Sequence, residues 1–209
     1  MPQSDPPSPR RAAILKAARI CFLDRGFIRT SISDVIALSG GSRATVYDEF
    51  GSKEGLFAAL IGSILAQMRL PEIADGSPDE ILRELGLSYM AQLLDPEALA
   101  LYRVVLGESS HIRQLGQTIF AAGPEAAAAA LAARLSVWNR AGLLAVDDPE
   151  RAASLFLAMV EGDLHRAAVL WSRAPDAAQI ERNVAGAVEI FLHGTLGRNA
   201  AIRRPVAAR

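Results

Sequence analysis

Apolar residues recur at helical spacing along almost the whole chain. Ile14, Ala17, Ala18, Cys21 and Phe22 fall at i, i+3, i+4, i+7 and i+8, so a first helix carries one apolar stripe, and Gly26 ends it. Ser31 then stands as an N-cap with Asp34 three residues on, the spacing of a capping box, ahead of the apolar Val35, Ile36 and Leu38. Ser39-Gly40-Gly41 breaks this short helix, since glycine takes the positive φ that a helix C-terminus often needs. Ser42 caps a second short helix, Arg43 to Phe50, closed by Gly51-Ser52. A longer helix opens at Lys53, with Phe57, Leu60, Ile61, Ile64, Leu65 and Met68 on one face, and Pro71 stops it. Residues 71–77 read as a linker.

Five or six further helices follow, several announced by a cap residue and a proline at the first helical position. Ser77-Pro78 opens one, with Glu80 completing a capping box, and Asp95-Pro96 opens the next, to about Gly107. A shorter segment covers about Ser110 to Ala122. Gly123-Pro124 introduces an alanine-rich helix that ends near Gly142, its stripe continued by Leu131, Leu135 and Trp138. Asp148-Pro149 opens a helix expected to run to about Trp171. Pro175-Asp176 opens the last, with Ile180, Val184, Ala187, Val188, Phe191 and Leu192 in register. With no strand-like alternation of useful length and no internal repeat, the fold class is all-α.

Two short helices across a glycine turn, within residues 33–52, form a helix-turn-helix layout, whose second helix can enter the DNA major groove. Two short capped helices also occur in many all-α domains, so the layout alone leaves DNA binding open. Further residues carry a family resemblance. Tyr47, Phe50, Ser52-Lys53-Glu54 and Leu56 match Y-x-x-F-x-S-K-E-x-L, and Gly26-Phe27 with Thr30-Ser31 matches G-F-x-x-T-[ST]. Together they resemble the TetR family of bacterial one-component transcriptional regulators, strongly over about residues 10–65 and by layout and length beyond. Gly41 stands where valine is commonest in that family, Ile36 where a small alanine is usual, and Asp48 and Glu49 are acids on the second motif helix.

Composition marks a polar, proline-rich tail over 1–9, expected to be disordered, and a basic tail over 198–209, and the resemblance implies a DNA-binding domain over 10–70 and a ligand-binding and dimerisation domain over 77–197. It implies a repressor that binds a double-stranded DNA operator and is released by a small, mostly apolar effector. The rival readings are a ligand-independent or activating regulator of the same fold, or a helical enzyme or binding protein with an incidental motif. No nucleophile with a base at family-typical spacing and no phosphate loop speaks for an enzyme.

Charge sharpens the first half of the picture. Net charge is −1 over 209 residues, yet positions 10–53 hold eight Lys/Arg against four Asp/Glu, a local excess of +4. Expected DNA contacts are Arg29, Thr30, Ser42, Arg43, Ala44, Thr45, Tyr47 and Lys53. Lys53 at a helix N-terminus suits a phosphate. Arg43 suits either a phosphate or a guanine edge. The resemblance sets the Thr30 and Tyr47 hydroxyls against the DNA backbone, though each could instead cap or pack within the bundle. Asp48 faces away from the groove or accepts from a cytosine amino group.

The second half is read mainly through the resemblance. The family builds its pocket on the middle helices, where Tyr89, Tyr102, Arg103, His111, Phe120 and Trp138 lie. Plain core packing is the alternative for each. The family's last helix pair dimerises, so a homodimer through 149–171 and 176–195 is expected, with Val188 or Ala187 on the contact face. Such a dimer would set two recognition helices roughly 34–36 Å apart, one DNA turn.

Glu161 and His165, at i and i+4 with Asp163 nearby, could suggest a metal, but intrahelical pairs of this kind are common without one, and no cofactor is expected. The single cysteine, Cys21, excludes an internal disulfide and falls on an apolar stripe. No apolar run reaches the ~18 residues of a membrane span, and MPQSDPPSPRR lacks the apolar core of a signal peptide. A cytoplasmic protein without membrane partners is expected.

Overall fold

The structure is a computed structural model that describes residues 8–65, 76–108, 121–171 and 173–193. Every regular element among them is helical. The helices are α1 (Pro9–Arg25), α2 (Ile32–Ser39), α3 (Arg43–Phe50), α4 (Lys53–Leu65), α5 (Pro78–Leu93), α6 (Pro96–Glu108), α7 (Ala126–Arg140), α8 (Pro149–Glu161), α9 (Leu164–Trp171) and α10 (Ala177–His193). A π-helical turn, Ala121–Glu125, precedes α7. The expected segment from Ser110 to Ala122 falls almost entirely outside the described residues, as do most of the linker and the C-terminal tail.

Caps set the helix starts. The Ser8 hydroxyl accepts from the Arg11 amide with Pro9 at the first helical position, so α1 begins just inside the segment expected to be a tail. Both expected capping boxes form, Ser31 with Asp34 and Ser77 with Glu80. In α2 and α5 the acid's carboxylate takes bonds from the serine's backbone and side chain. These bonds hold the Asp34 and Glu80 carboxyls below the usual carboxylate range. Asp176 and Gln179 make the equivalent reciprocal pair ahead of α10.

The helix expected over 149–171 is broken. Gly162 takes φ +49° and ψ −138°, a conformation that only glycine adopts freely, so α8 ends at Glu161 and α9 restarts at Leu164. The Asn183 amide of α10 donates to the Val160 carbonyl at 2.5 Å and lies 3.4 Å from that of Met159, satisfying the carbonyls that the break frees. The alanine-rich helix likewise starts at Ala126 rather than at Pro124, because the chain first makes its π turn.

Two apolar cores organise the packing. The first joins α1 to α4 through Ile14, Phe22, Val35, Val46, Phe57 and Leu60. Its centre is an aromatic trio, with the Phe22, Phe27 and Phe57 ring centroids 4.9 to 5.7 Å apart. Leu101 of α6 belongs to this core. The second core gathers α5, α7, α8 and α10 around Leu85, Met90, Leu131, Leu135, Phe156 and Val188. Ala187 and Val188, expected on a contact face between protomers, are 4% and 0% exposed within this core. Burial of that size is worth about 1.5–3 kcal/mol for a large aliphatic side chain, and it fixes which stripe of α10 turns inward. No helix of the described residues is long and apolar enough to cross a membrane.

Candidate nucleic-acid interface and ligand cleft

The motif helices are short, and their apolar residues decide their orientation. Val35 of α2 and Val46 of α3 are fully buried, which turns Arg43, Ala44, Tyr47 and Asp48 of α3 outward. Ser42 is the N-cap of α3. Its hydroxyl accepts from the Thr45 amide and lies 3.0 Å from the Thr45 hydroxyl, so both polar side chains sit at the leading end of the helix. The Arg43 guanidinium donates to the Ser33 hydroxyl of α2 at 2.6 Å. Ser33 is exposed beside it, a neighbour that the sequence pattern did not single out. Tyr47 is about half exposed.

Behind α3, the Lys53 ammonium donates to the Ile28 carbonyl at 3.3 Å and rests 4.4 Å from the Phe27 ring centroid. Its field, with that of Arg25, contributes to the lowered carboxyl of Asp34. Arg29 is exposed and donates to the Arg25 carbonyl. These cations therefore gather around the connection between α1 and α2, with Asp34 among them.

Thr30 departs from expectation. It is 1% exposed, and its hydroxyl lies 2.8 Å from the Gly26 carbonyl and 3.0 Å from that of Cys21. A buried hydroxyl must find an internal acceptor, and this one locks the end of α1 to the start of α2. The Thr30 side chain is not presented to a DNA backbone. Of the alternatives, packing within the bundle is the one the structure shows.

Not all of the basic excess over 10–53 is free for phosphates. The Arg10 guanidinium donates to the Gly40 carbonyl at 2.5 Å and the Ser39 carbonyl at 3.3 Å. Arg11 donates to the Glu49 backbone carbonyl, pairs with the Glu49 carboxylate at 3.3 Å and lies over the Phe50 ring. The two arginines staple the turn and the end of α3 to α1. Gly41 then has a physical reason. It takes φ +92°, a backbone conformation that a β-branched valine rarely adopts, and the Arg10 guanidinium lies against its open side. Glu49 is thereby turned to Arg11, while Asp48 remains exposed on α3.

In the second unit, α7 and α8 flank a cleft of about 970 Å³. Ala128, Ala129, Ala132 and Ala133 of α7 face Leu157 and Ala158 of α8 across it, and the small side chains of α7 leave the room. Tyr89 of α5, 6% exposed, lines it too; burial first, then Glu161 and Tyr102, pushes its phenol up to about 12, so it stays neutral at pH 7. Among the described residues expected in the pocket, Tyr89 alone lines this cleft. Trp138 is 3% exposed in the second core, under the Arg134 guanidinium. Tyr102 stands edge-on to the His165 ring at 4.9 Å, and burial raises its phenol. Arg103 donates to the Ala168 and Val169 carbonyls at 2.7 and 3.0 Å, tying α6 to the end of α9. His111 and Phe120 lie outside the described residues.

The Glu161 carboxylate meets His165 Nδ1 at 2.9 Å, and Asp163 pairs instead with Arg166. Among the described residues, no group of three His, Cys, Asp or Glu side chains lies together as a metal site would require. Cys21 is buried, and burial pushes its thiol up, away from the reactive thiolate.

A helix-turn-helix bundle joined to a separate helical unit with its own cleft defines a two-part DNA-binding regulator. Comparison with known proteins agrees. The sequence model described as bacterial regulatory proteins of the tetR family matches residues 14–60, and that of the AefR-like transcriptional repressor C-terminal domain matches residues 80–194. The chain belongs to the TetR family and is a DNA-binding transcriptional regulator, not an enzyme.

Among its relatives is the HTH-type transcriptional regulator BetI of Rhizobium meliloti, 29% identical over 158 residues, covering 73% of this chain and 75% of that protein. The HTH-type transcriptional regulator TtgR of Pseudomonas putida is 29% identical over 182 residues, covering 81% and 83%. Of solved structures, the flavonoid-responsive regulator FrrA superposes with a TM-score of 0.77 at 31% identity, covering 88% of this chain and 95% of its own. A TetR-family regulator from Mesorhizobium loti gives a TM-score of 0.78 at 28% identity, with the same coverage.

Proposed function

We propose that this regulator is a cytoplasmic homodimeric repressor, released from its operator by a small molecule bound in the second unit. The observation that carries the reading is the double membership of α6. Its Leu101 is buried in the DNA-binding core, while its Arg103 holds the end of α9. A ligand that favours one arrangement of the second unit therefore has a solid path to the spacing of the α3 helices. It can act only through a difference in affinity between the two arrangements. Repression is supported by the match to a repressor C-terminal domain, and small-molecule control by the likeness to FrrA, a flavonoid-responsive regulator. Arg43, Tyr47, Ser42, Thr45, Ala44, Arg29 and Lys53 form the proposed DNA face, with Ser33 added and the Thr30 side chain removed.

Dimerisation is supported by what α8, α9 and α10 leave outside. Leu155 and Ile190 are 55% and 46% exposed along an apolar groove with Ala152, Met159 and Phe191, and Leu170 and Trp171 of α9 are more exposed still. The proposed contact face is this stripe rather than Ala187 and Val188. Leu155→Arg tests it, because an unpaired charge in a dry interface is costly. Sedimentation should show a dimer for the parent chain and a monomer for Leu155→Arg, whose binding to DNA upstream of its own gene is lost. A parent chain that is monomeric at micromolar concentration yet binds that DNA unchanged overturns the reading.

A further inference from the structure

Ser33 and Arg43 meet across the leading ends of α2 and α3. The frame under each is fixed. Ile32 and Val35 are buried on either side of Ser33, and the Ser31–Asp34 capping box closes the first turn of α2, so the Ser33 side chain points outward. Arg43 follows the Ser42 cap directly, and buried Val46 holds α3 where the guanidinium reaches the Ser33 hydroxyl at 2.6 Å.

This contact differs from those of the other arginines of the bundle. Arg11, Arg19 and Arg25 pair with the carboxylates of Glu49, Glu97 and Asp34, so their charge is answered within the chain. Arg10 and Arg29 lie against backbone carbonyls. Arg43 has no ion pair among the described residues, and its partner is a neutral hydroxyl. The carboxylate next to Ser33 in sequence, that of Asp34, is taken by Ser31 and Arg25 instead. The Arg43 charge therefore stays available at the outer face of α3.

The chemistry of the pair suits readout. Arginine presents several N–H donors in one rigid plane, and the bond to Ser33 uses one of them. The others remain as a fork for the two acceptors of a guanine edge. A long side chain loses rotamer freedom when it docks, and one already tied at its tip has less to lose.

We infer that Ser33 is a positioning residue for base readout: it holds one arm of the Arg43 guanidinium so that the rest of the fork meets a guanine in the major groove. Sequence preference at that base pair is then set by α2 as well as by α3. The assignment rests on the reading of α3 as the helix that enters the groove.

Selection from a library of randomised DNA duplexes with the full chain tests it before any operator is known. The parent chain should select a site containing a guanine that Arg43→Ala no longer requires. Ser33→Ala should weaken preference at that same position roughly three- to tenfold, the worth of one hydrogen bond of ordinary net strength, and leave affinity for random duplexes nearly unchanged. Ser33→Thr keeps the hydroxyl and should restore the preference. In the Arg43→Ala background, Ser33→Ala should change nothing further. Ser33 is exposed, so each variant should melt as the parent chain does, which circular dichroism checks. Base preference unchanged by Ser33→Ala overturns the inference and leaves the reading of α3 intact. So does an equal loss on selected and random duplexes, which makes Ser33 a phosphate contact, or a loss that persists in the Arg43→Ala background. Arg43→Ala without effect on base preference removes the guanine contact and the inference with it. A parent chain that selects no sequence from the library overturns the reading of α3 itself.

Discussion

Thr30 shows how one hydroxyl can be misread from spacing. Its position after Gly26-Phe27 marks the family, and a threonine at the edge of a DNA-binding motif invites a phosphate contact. The chain instead buries it to close the connection between α1 and α2. Thr30→Val keeps the shape and removes the donor, leaving buried carbonyls short of a partner. It should lower unfolding stability by about 1–3 kcal/mol in urea titration. Operator affinity of the folded variant should stay near that of the parent chain. A large loss of affinity at unchanged stability would restore the phosphate role. Arg10 and Gly41 were equally opaque. The arginine reads as one more basic residue and the glycine as a departure from the family, and only the folded chain shows that Gly41 takes a positive φ and that Arg10 binds the turn carbonyls.

At the scale of elements, the signals that are local in sequence were legible. Serine caps, proline at first helical positions and apolar stripes depend on residues within a turn or two, and they place α2, α3, α5 and α6 within a residue of where they stand. The break at Gly162 was not legible, since a glycine inside an apolar periodic run is tolerated in many helices. Its cause lies in α10, where Asn183 meets the freed carbonyls.

The capping boxes give a pH dependence with a definite sign. The Asp34 carboxyl is lowered chiefly by the Ser31 side chain, and that of Glu80 chiefly by the Ser77 backbone amide. Lowered carboxyls stabilise fully above their unfolded values of about 4, and this contribution is lost as pH falls through the folded values. The urea midpoint of the parent chain should therefore exceed that of Asp34→Asn at pH 7, and the gap should close on acidification below pH 4. A gap constant with pH would show that the charged cap is not its source.

At the scale of the molecule, α6 bridges the two cores among the described residues. Leu101 enters the first core from α6, Arg19 of α1 pairs with Glu97 of α6, and Arg103 and Tyr102 on the same helix reach α9. Under the proposed reading, α6 is therefore one described element through which the second unit and the motif helices can sense one another, beside the contact of α4 with the π turn, and everything they transmit matters only if α3 reads DNA. Binding isotherms on operator and on random DNA over a series of salt concentrations test that claim most directly. Lys53→Ala should weaken binding to both DNAs by a similar factor and reduce the slope of log affinity against log salt by roughly one for each phosphate that a subunit no longer holds. Arg43→Ala, if the arginine reads a base edge, should cost about 1–3 kcal/mol on operator and much less on random DNA. Equal weakening of both DNAs by Arg43→Ala would make Arg43 a phosphate contact and leave reading to its neighbours on α3. Operator binding untouched by either substitution would contradict the account.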